Sequence, residues 1–100
     1  MSRFHPEARD ELFEAQEEYE NQRPGRGERF TKAVNRLCEL IDGQPELFAK
    51  IDDRRRIAPV DRFPYGVVYE ITHFGVVVIA IAHLRRRPGY WRKRSADEAE

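Results

Sequence analysis

The chain has 100 residues, which is the length of a single domain. Hydrophobic residues make up 40% and charged residues 36% of it, a composition that excludes a disordered chain. The single cysteine, Cys38, excludes an internal disulfide and favours a reducing compartment. No apolar run approaches the roughly 18 residues of a membrane span, and no basic-then-apolar leader is present, so we expect a cytoplasmic protein.

The net charge of zero conceals an uneven distribution along the chain. Residues 1–49 carry 7 Lys/Arg and 11 Asp/Glu, whereas residues 50–94 carry 11 Lys/Arg and 4 Asp/Glu. The last six residues, "SADEAE", add three negative charges. The basic second half predicts a polyanionic or acidic partner for that part of the molecule.

Two amphipathic helices are predicted in the first half. Residues 6–22 begin with Pro6, which suits a first helical turn, and a second helix is expected over about 27–42. The segment "RPGRG" between them predicts a tight turn and therefore an antiparallel hairpin. The expected buried stripes are Ala8, Leu12, Ala15 and Tyr19 in the first helix and Phe30, Val34, Leu37, Cys38 and Ile41 in the second. Cys38 is thus expected to be buried and inert.

Three strands are predicted in the second half, over 55–60, 65–72 and 76–84. Pro59 places the first strand at a sheet edge or bulge. The third is apolar on both faces and is expected to be central, joined to the second by the turn "HFG". The element order predicts an α+β fold, a helical hairpin packed on a small antiparallel sheet. We expect one domain over 1–94 and a disordered tail over 95–100.

The candidate functional residues are basic and aromatic. The run "RRR" occurs at 54–56 and again at 85–87, next to two of the predicted strands. If these strands are neighbours, both arginine runs can reach one region of the sheet. There the arginines could neutralise phosphate charge, and His83 or Tyr90 could move a proton. The candidates for catalysis are Arg56, Arg62, His83, Arg85, Arg87 and Tyr90. The candidates for nucleic-acid or partner binding are Arg54, Arg55, Arg86, Trp91, Arg92, Lys93 and Arg94. The three scattered histidines and single cysteine predict no metal site, and no cofactor motif is present.

Plainer interpretations of the same residues stay open. Arginine runs are often solvated faces, and the second run could bind an acidic peptide instead of nucleic acid. Trp91 is expected to cover the end of the sheet, and Tyr65 and Tyr69 are expected to pack in the core. His83 shares the alternation of Val77, Ile79 and Ile81, which favours a partly buried histidine over a catalytic one.

Four segments resemble the RelE/ParE superfamily of type II toxin–antitoxin toxins. These are "FHPEARDEL", "FTKAV…L…L…P", "RFPYGVVYEI" and "VVVIAIAHLRRRPGYWRKR", which span about residues 4–94 in the family's order. The resemblance implies a compact α+β toxin and a cognate antitoxin that binds it, with an acidic segment suited to the basic half. The family's usual N-terminal strand is expected to be very short or absent, since only "MSRF" precedes the first helix.

The resemblance leaves the cellular target open. RelE-like members imply mRNA cleavage at the ribosome, whereas ParE-like members imply inhibition of DNA gyrase without nuclease residues. In the nuclease branch an arginine usually follows the first tyrosine of the second strand, but here Gly66 follows Tyr65. This absence favours a growth-inhibiting toxin that acts on gyrase. The alternatives are a metal-independent ribosome-dependent endoribonuclease and a non-toxic member that only binds its antitoxin.

Overall fold

The computed structural model describes residues 2–100, so the first residue of the expected 1–94 domain lies outside the described part. The elements in chain order are β1 (Arg3–Phe4), α1 (Pro6–Gln22), α2 (Arg26–Gly43), β2 (Arg55–Pro59), β3 (Tyr65–Thr72), β4 (Gly75–His83) and a short 3-10 helix (Ala96–Glu98). The predicted helical hairpin and three long strands are therefore confirmed.

The strands form one four-stranded sheet in the order β1-β4-β3-β2. The three long strands pair antiparallel, and β4 is central as predicted, while β2 with Pro59 lies at one end. The two-residue β1 is present and pairs with β4 in parallel, so the sheet is mixed and not purely antiparallel. Both helices pack on one face of this sheet, which confirms the α+β class.

The helical hairpin depends on a close approach at its turn. A Cβ atom at Gly27 would lie 2.4 Å from the backbone oxygen of Gln16, so only glycine lets α2 lie this close to α1. The Glu20 carboxylate of α1 accepts hydrogen bonds from the backbone N–H groups of Gly25 and Gly27. These contacts supply a cap for the first turn of α2, where backbone donors have no partner within the helix.

Both faces of the sheet are buried, and a β-bulge in β4 interrupts the alternation of its side chains between them. Val68 pairs with Ala80 and Tyr69 with Val78, so Ile79 of β4 is the extra residue. The helix-side core includes the aromatic rings of Tyr19, Phe30 and Tyr69 with Val76, Val78 and Ile81. The outer core comprises Val68, Val77, Ile79, Ala80, Ala82 and Trp91, and the chain after β4 covers it.

The bulge corrects the predicted face of His83. Ile81 lies in the helix-side core, whereas Val77 and Ile79 lie in the outer core. The regular alternation therefore breaks at Ile79, and the ring of His83 contacts Tyr65, which packs against the helix-side core, with 5.0 Å between ring centres.

Within the last six residues, for which the sequence predicts disorder, Ala96–Glu98 form a short 3-10 helix. The side chain of Ser95 caps it, and the backbone N–H of Glu100 donates to the carbonyl of Phe4 on β1. His5 accepts from the backbone N–H of Glu7 through Nδ1, so its Nε2 carries the proton and donates to Glu98 at 3.0 Å. The tail thus packs along the free edge of β1.

Within residues 2–100, the structure contains no helix that is both long and apolar enough to cross a membrane.

Candidate functional site

The two arginine runs lie at opposite ends of the sheet. Arg55 pairs with Glu70 near the end of β3, whereas His83, just before the second run, pairs with Tyr65 at its start. Five residues of β3 separate these two positions, which corresponds to about 17 Å. The expectation that both runs reach one region of the sheet is therefore wrong, because β2 is antiparallel to β3.

The first run is largely structural. Arg55 is 2% exposed, and its Nε donates to Glu70 at 3.1 Å. Its other guanidinium nitrogens donate to the backbone carbonyls of Arg92 and Arg94. Arg56 donates to the carbonyls of Glu46 and Phe48. Arg55 therefore ties the C-terminal segment to the sheet and Arg56 ties down the loop before β2, while Arg54 is exposed.

Glu11 of α1 is the centre of a second network. Its carboxylate accepts from the Tyr90 hydroxyl at 2.7 Å, from Arg94 at 2.8 and 3.0 Å, and from the backbone N–H of Ile81 at 3.1 Å. Arg94 also donates to the carbonyl of Ile79. The last residue of β1 pairs with Val78, so β4 has no strand on that side beyond this point. Glu11 and Arg94 provide hydrogen-bond partners for the Ile81 N–H and the Ile79 carbonyl there.

This network changes the chemistry available to Tyr90. Burial and the adjacent Glu11 carboxylate raise the pKa of Tyr90 well above its usual value. The guanidinium carbons of Arg86 and Arg94 lie 4.2 and 5.2 Å from the centre of its ring. Tyr90 is thus a neutral hydroxyl committed to Glu11, which makes it a poor proton donor or acceptor for an external substrate.

His83 lies beside acidic side chains of α1. Its Nδ1 accepts from the backbone N–H of Arg85 at 3.1 Å. The small cavity next to it, about 190 Å³, is lined by Glu11, Glu14 and Glu18 together with Arg86. Glu11 is paired with Arg94, so Glu14 and Glu18 against Arg86 leave the cavity net negative, which is unfavourable for a phosphate group.

Trp91 lies in the outer core and is 5% exposed. It packs on the outer face of the sheet with Val68 and Ile79, whereas the sequence predicted that it covers the sheet's end. Its indole ring is therefore not open to stacking with a base.

The remaining candidates are exposed at the surface. Arg85 and Arg87 follow β4 next to the apolar side chain of Leu84, which is 51% exposed. Arg92 and Lys93 are exposed on the segment that returns across the outer face. Arg62 lies elsewhere, in the β2–β3 loop, with its side chain 89% exposed.

Arg62 belongs to a basic surface that the sequence interpretation did not identify. An open groove of about 510 Å³ lies between α2 and the β2–β3 loop, and its cationic side chains are Arg23, Arg26, Arg29, Lys32, Arg36 and Arg62. We call it the α2 groove. The signal was present in the sequence, because Arg26, Arg29, Lys32 and Arg36 recur at helical spacing, but they lie in the half with excess acid.

The described part of the chain contains no cluster of three His, Cys, Asp or Glu side chains that could hold a metal ion. Gly66, where the nuclease branch usually has arginine, is buried. A Cβ atom there would lie 2.8 Å from side-chain carbons of Ile57 and 3.2 Å from Leu84. The packing around Gly66 therefore leaves no room for a larger side chain unless these neighbours move.

Comparison with family models gives a match over residues 3–88 to the ParE toxin of type II toxin–antitoxin systems, parDE. The chain belongs to this ParE toxin family. Its type II toxin–antitoxin class confirms the resemblance to the RelE/ParE superfamily, and membership implies a cognate antitoxin as a partner. A search of curated proteins gives no match.

The ParE match extends from β1 through the second arginine run and ends at Pro88. Tyr90, Trp91 and Arg94 lie beyond it. In this ParE-family toxin these three side chains hold the last segment against Glu11 and the outer face of the sheet.

Proposed function

We propose that this toxin stops growth by interfering with DNA gyrase and cuts no RNA itself. Residues 84–87, at the end of β4, are the proposed docking surface. The observation that carries the proposal is the dispersal of the nuclease candidates. Arg56 and His83 pair with β3 at positions four residues apart, which corresponds to about 13 Å, and Tyr90 is committed to Glu11. General acid–base catalysis needs such groups within hydrogen-bonding reach of one substrate.

The electrostatics of the His83 cavity support the same proposal. An RNA phosphate placed beside His83 would face the carboxylates of Glu14 and Glu18, with Arg86 as the cation that lines the cavity. In addition, Gly66 leaves its position without a guanidinium group. A toxin that acts by binding a protein needs neither group.

The proposed docking surface combines charge with exposed apolar area. Leu84 is 51% exposed, and Arg85 and Arg87 beside it make no hydrogen bond or ion pair through their side chains within residues 2–100. An exposed leucine followed by free arginines suits the anchor of a protein partner, since arginine is enriched at interfaces.

Two parallel assays test the proposal. Purified toxin is added to a plasmid supercoiling reaction with gyrase, and to a cell-free translation reaction in which mRNA 5′ ends are mapped. We expect supercoiling to be inhibited and the mRNA to stay intact. New ribosome-dependent 5′ ends would refute the proposal in favour of an endoribonuclease. Normal growth of cells that express the toxin without its antitoxin would refute toxicity itself.

A pair of variants localises the docking surface. We expect Arg87→Ala to reduce supercoiling inhibition at least about tenfold, which is the range for loss of a well-placed interface arginine. Lys50→Ala removes an equally exposed charge near the other end of the sheet and serves as the control. Equal inhibition by both variants and the wild type would contradict a docking role for residues 84–87.

A further inference from the structure

We propose that the α2 groove binds the phosphate backbone of double-stranded DNA. It lies between α2 and the β2–β3 loop, apart from the 84–87 surface. Six cationic side chains line it, whereas Asp61 is the one carboxylate among its lining residues. On a chain of zero net charge, this concentration of positive charge is a local feature that favours a polyanion.

Most of these charges are unneutralised. Within residues 2–100, the guanidinium groups of Arg23, Arg29 and Arg36 make no hydrogen bond or ion pair. Lys32 pairs with Glu28 at 2.9 Å, but both side chains are more than 60% exposed, so this pair is weak. Arg62 and Asp61 are 3.9 Å apart and almost fully exposed. Phosphates could therefore be contacted without first breaking a buried ion pair.

Four of these residues stand in a row along α2. Arg26 to Arg36 spans ten residues of α2, or about 15 Å along the helix axis. The guanidinium carbon of Arg26 lies 5.0 Å from the ring centre of Tyr19 and 5.9 Å from that of Phe63. On the opposite wall, Arg62 has a backbone φ of 70°, a strained conformation for a residue other than glycine. Backbone strain of this kind clusters at functional sites.

The lining favours a phosphate backbone over an acidic peptide. Peptides dock through apolar anchors in a groove or by adding a strand to a sheet edge. Apart from the stems of its charged side chains, this groove offers only Ala33 and part of Phe63. The neighbouring edge of β2 is already bonded, since the N–H of Ile57 donates to the carbonyl of Ala49, and Pro59 has no N–H to donate.

A duplex fits better than a single strand. Single-strand binding relies on aromatic rings that stack on bases. Phe63 is the only aromatic residue that lines this groove, and its ring packs edge-on against Tyr19 and Phe30 at 5.1 Å. The choice of DNA over RNA rests on the proposed function, in which the target works on DNA.

Fluorescence anisotropy with a labelled 20-base-pair DNA of arbitrary sequence tests the inference on the full chain. We expect binding that weakens steeply between 50 and 200 mM salt, since counterions are released from each neutralised phosphate. Arg29→Gln/Arg36→Gln is expected to weaken binding at least about tenfold and to lower the slope of log K against log salt by about 2. Both side chains are exposed and unpaired, so the variant should fold, which circular dichroism checks.

The control is Arg3→Gln/Lys50→Gln, which removes the same charge from exposed positions outside the groove. We expect it to change the affinity less than twofold. No binding at 50 mM salt, equal losses in both variants, tighter binding of duplex RNA, or displacement of DNA by equimolar poly-glutamate would each overturn the inference. Supercoiling inhibition without DNA binding would refute only the groove, whereas DNA binding without inhibition would refute only the proposed function.

Discussion

Replacing Glu11 should destabilise this toxin more than replacing any other acidic residue of α1. Its carboxylate accepts four hydrogen bonds, and its side chain is 12% exposed, while that of its partner Arg94 is 10% exposed. Glu11→Ala leaves the Arg94 guanidinium with Glu7 at 3.6 Å as a distant, exposed counter-charge. It also leaves the N–H of Ile81 without its acceptor.

The expected cost is about 3–5 kcal/mol, as for other buried pairs that lose one partner. Glu11→Gln keeps an acceptor for Ile81 but removes the charge, so we expect an intermediate loss of about 2 kcal/mol. Tyr90→Phe removes one hydrogen bond to a charged group and should cost about 1.5 kcal/mol. These values are large against the roughly 5–15 kcal/mol stability of a typical domain.

Urea unfolding followed by circular dichroism measures these losses. If the free energy of unfolding falls by about 1.5 kcal/mol per molar urea, a loss of about 3 kcal/mol in that free energy lowers the midpoint urea concentration by about 2 M. The single tryptophan, Trp91, gives a second signal from the segment that Glu11 holds. Glu14→Ala is the matched control, because it makes the same change at an exposed position of α1 and should cost less than about 0.5 kcal/mol. A Glu11→Ala loss no larger than that of Glu14→Ala would refute the role of the network.

Two further predictions concern titratable groups. Burial, with smaller contributions from nearby acids, raises the pKa of the Cys38 thiol to about 12. Iodoacetamide at pH 8 should therefore label Cys38 in urea but not in the folded protein, as judged by mass spectrometry. Similar labelling rates in the two states would contradict its burial. Hydrogen bonds from the Ser95 backbone and the His5 side chain lower the pKa of Glu98 from 4.5. Its stabilising contribution is therefore present above pH 4.5 and is lost as the pH falls through the lower folded-state value. The protection factor of the Ser95 amide, which corrects for the intrinsic pH dependence of exchange, should fall in that acid range because this N–H donates to Glu98. In Glu98→Ala the protection factor should be low and should not change across this range.

Much of the fold could be predicted because its signals are local. Pro6 and the Pro24–Gly25 pair delimit α1, and the structure begins and ends that helix where the sequence predicts. The apolar run of β4 predicted a central strand because it has no polar face, and the structure covers it on both sides. What covers the outer side was harder to predict, because it is the segment around Trp91 and not a second layer of helices.

The face of His83 could not be predicted because a strand's alternation holds only without a bulge. Nothing in "VVVIAIA" marks Ile79 as the extra residue, since every side chain there is apolar and suits either core. The bulge follows from tertiary structure: Ile79 and Ile81 present backbone groups to Arg94 and Glu11 beyond the end of β1. These partners are 15 and 70 residues away in sequence, beyond the reach of any local pattern.

The α2 groove was missed for a related reason. The sequence places its most concentrated positive charge in "HLRRRPGYWRKR", yet Arg94 of that segment is committed to Glu11, and Arg55 of the other arginine run is committed to Glu70. The α2 groove comes instead from the half of the chain with net negative charge, because the acidic residues there lie mainly on α1 and the basic ones on α2. When charge is summed over the first half of the chain, the acidic residues of α1 cancel the basic residues of α2. Counting basic residues at spacings of three and four instead identifies the basic face of α2. A charge run in sequence therefore identifies a free basic surface only after its buried partners have been subtracted. In this toxin the subtraction removes Arg55 and Arg94 from the count, while the α2 groove adds a basic surface that the sum along the chain conceals.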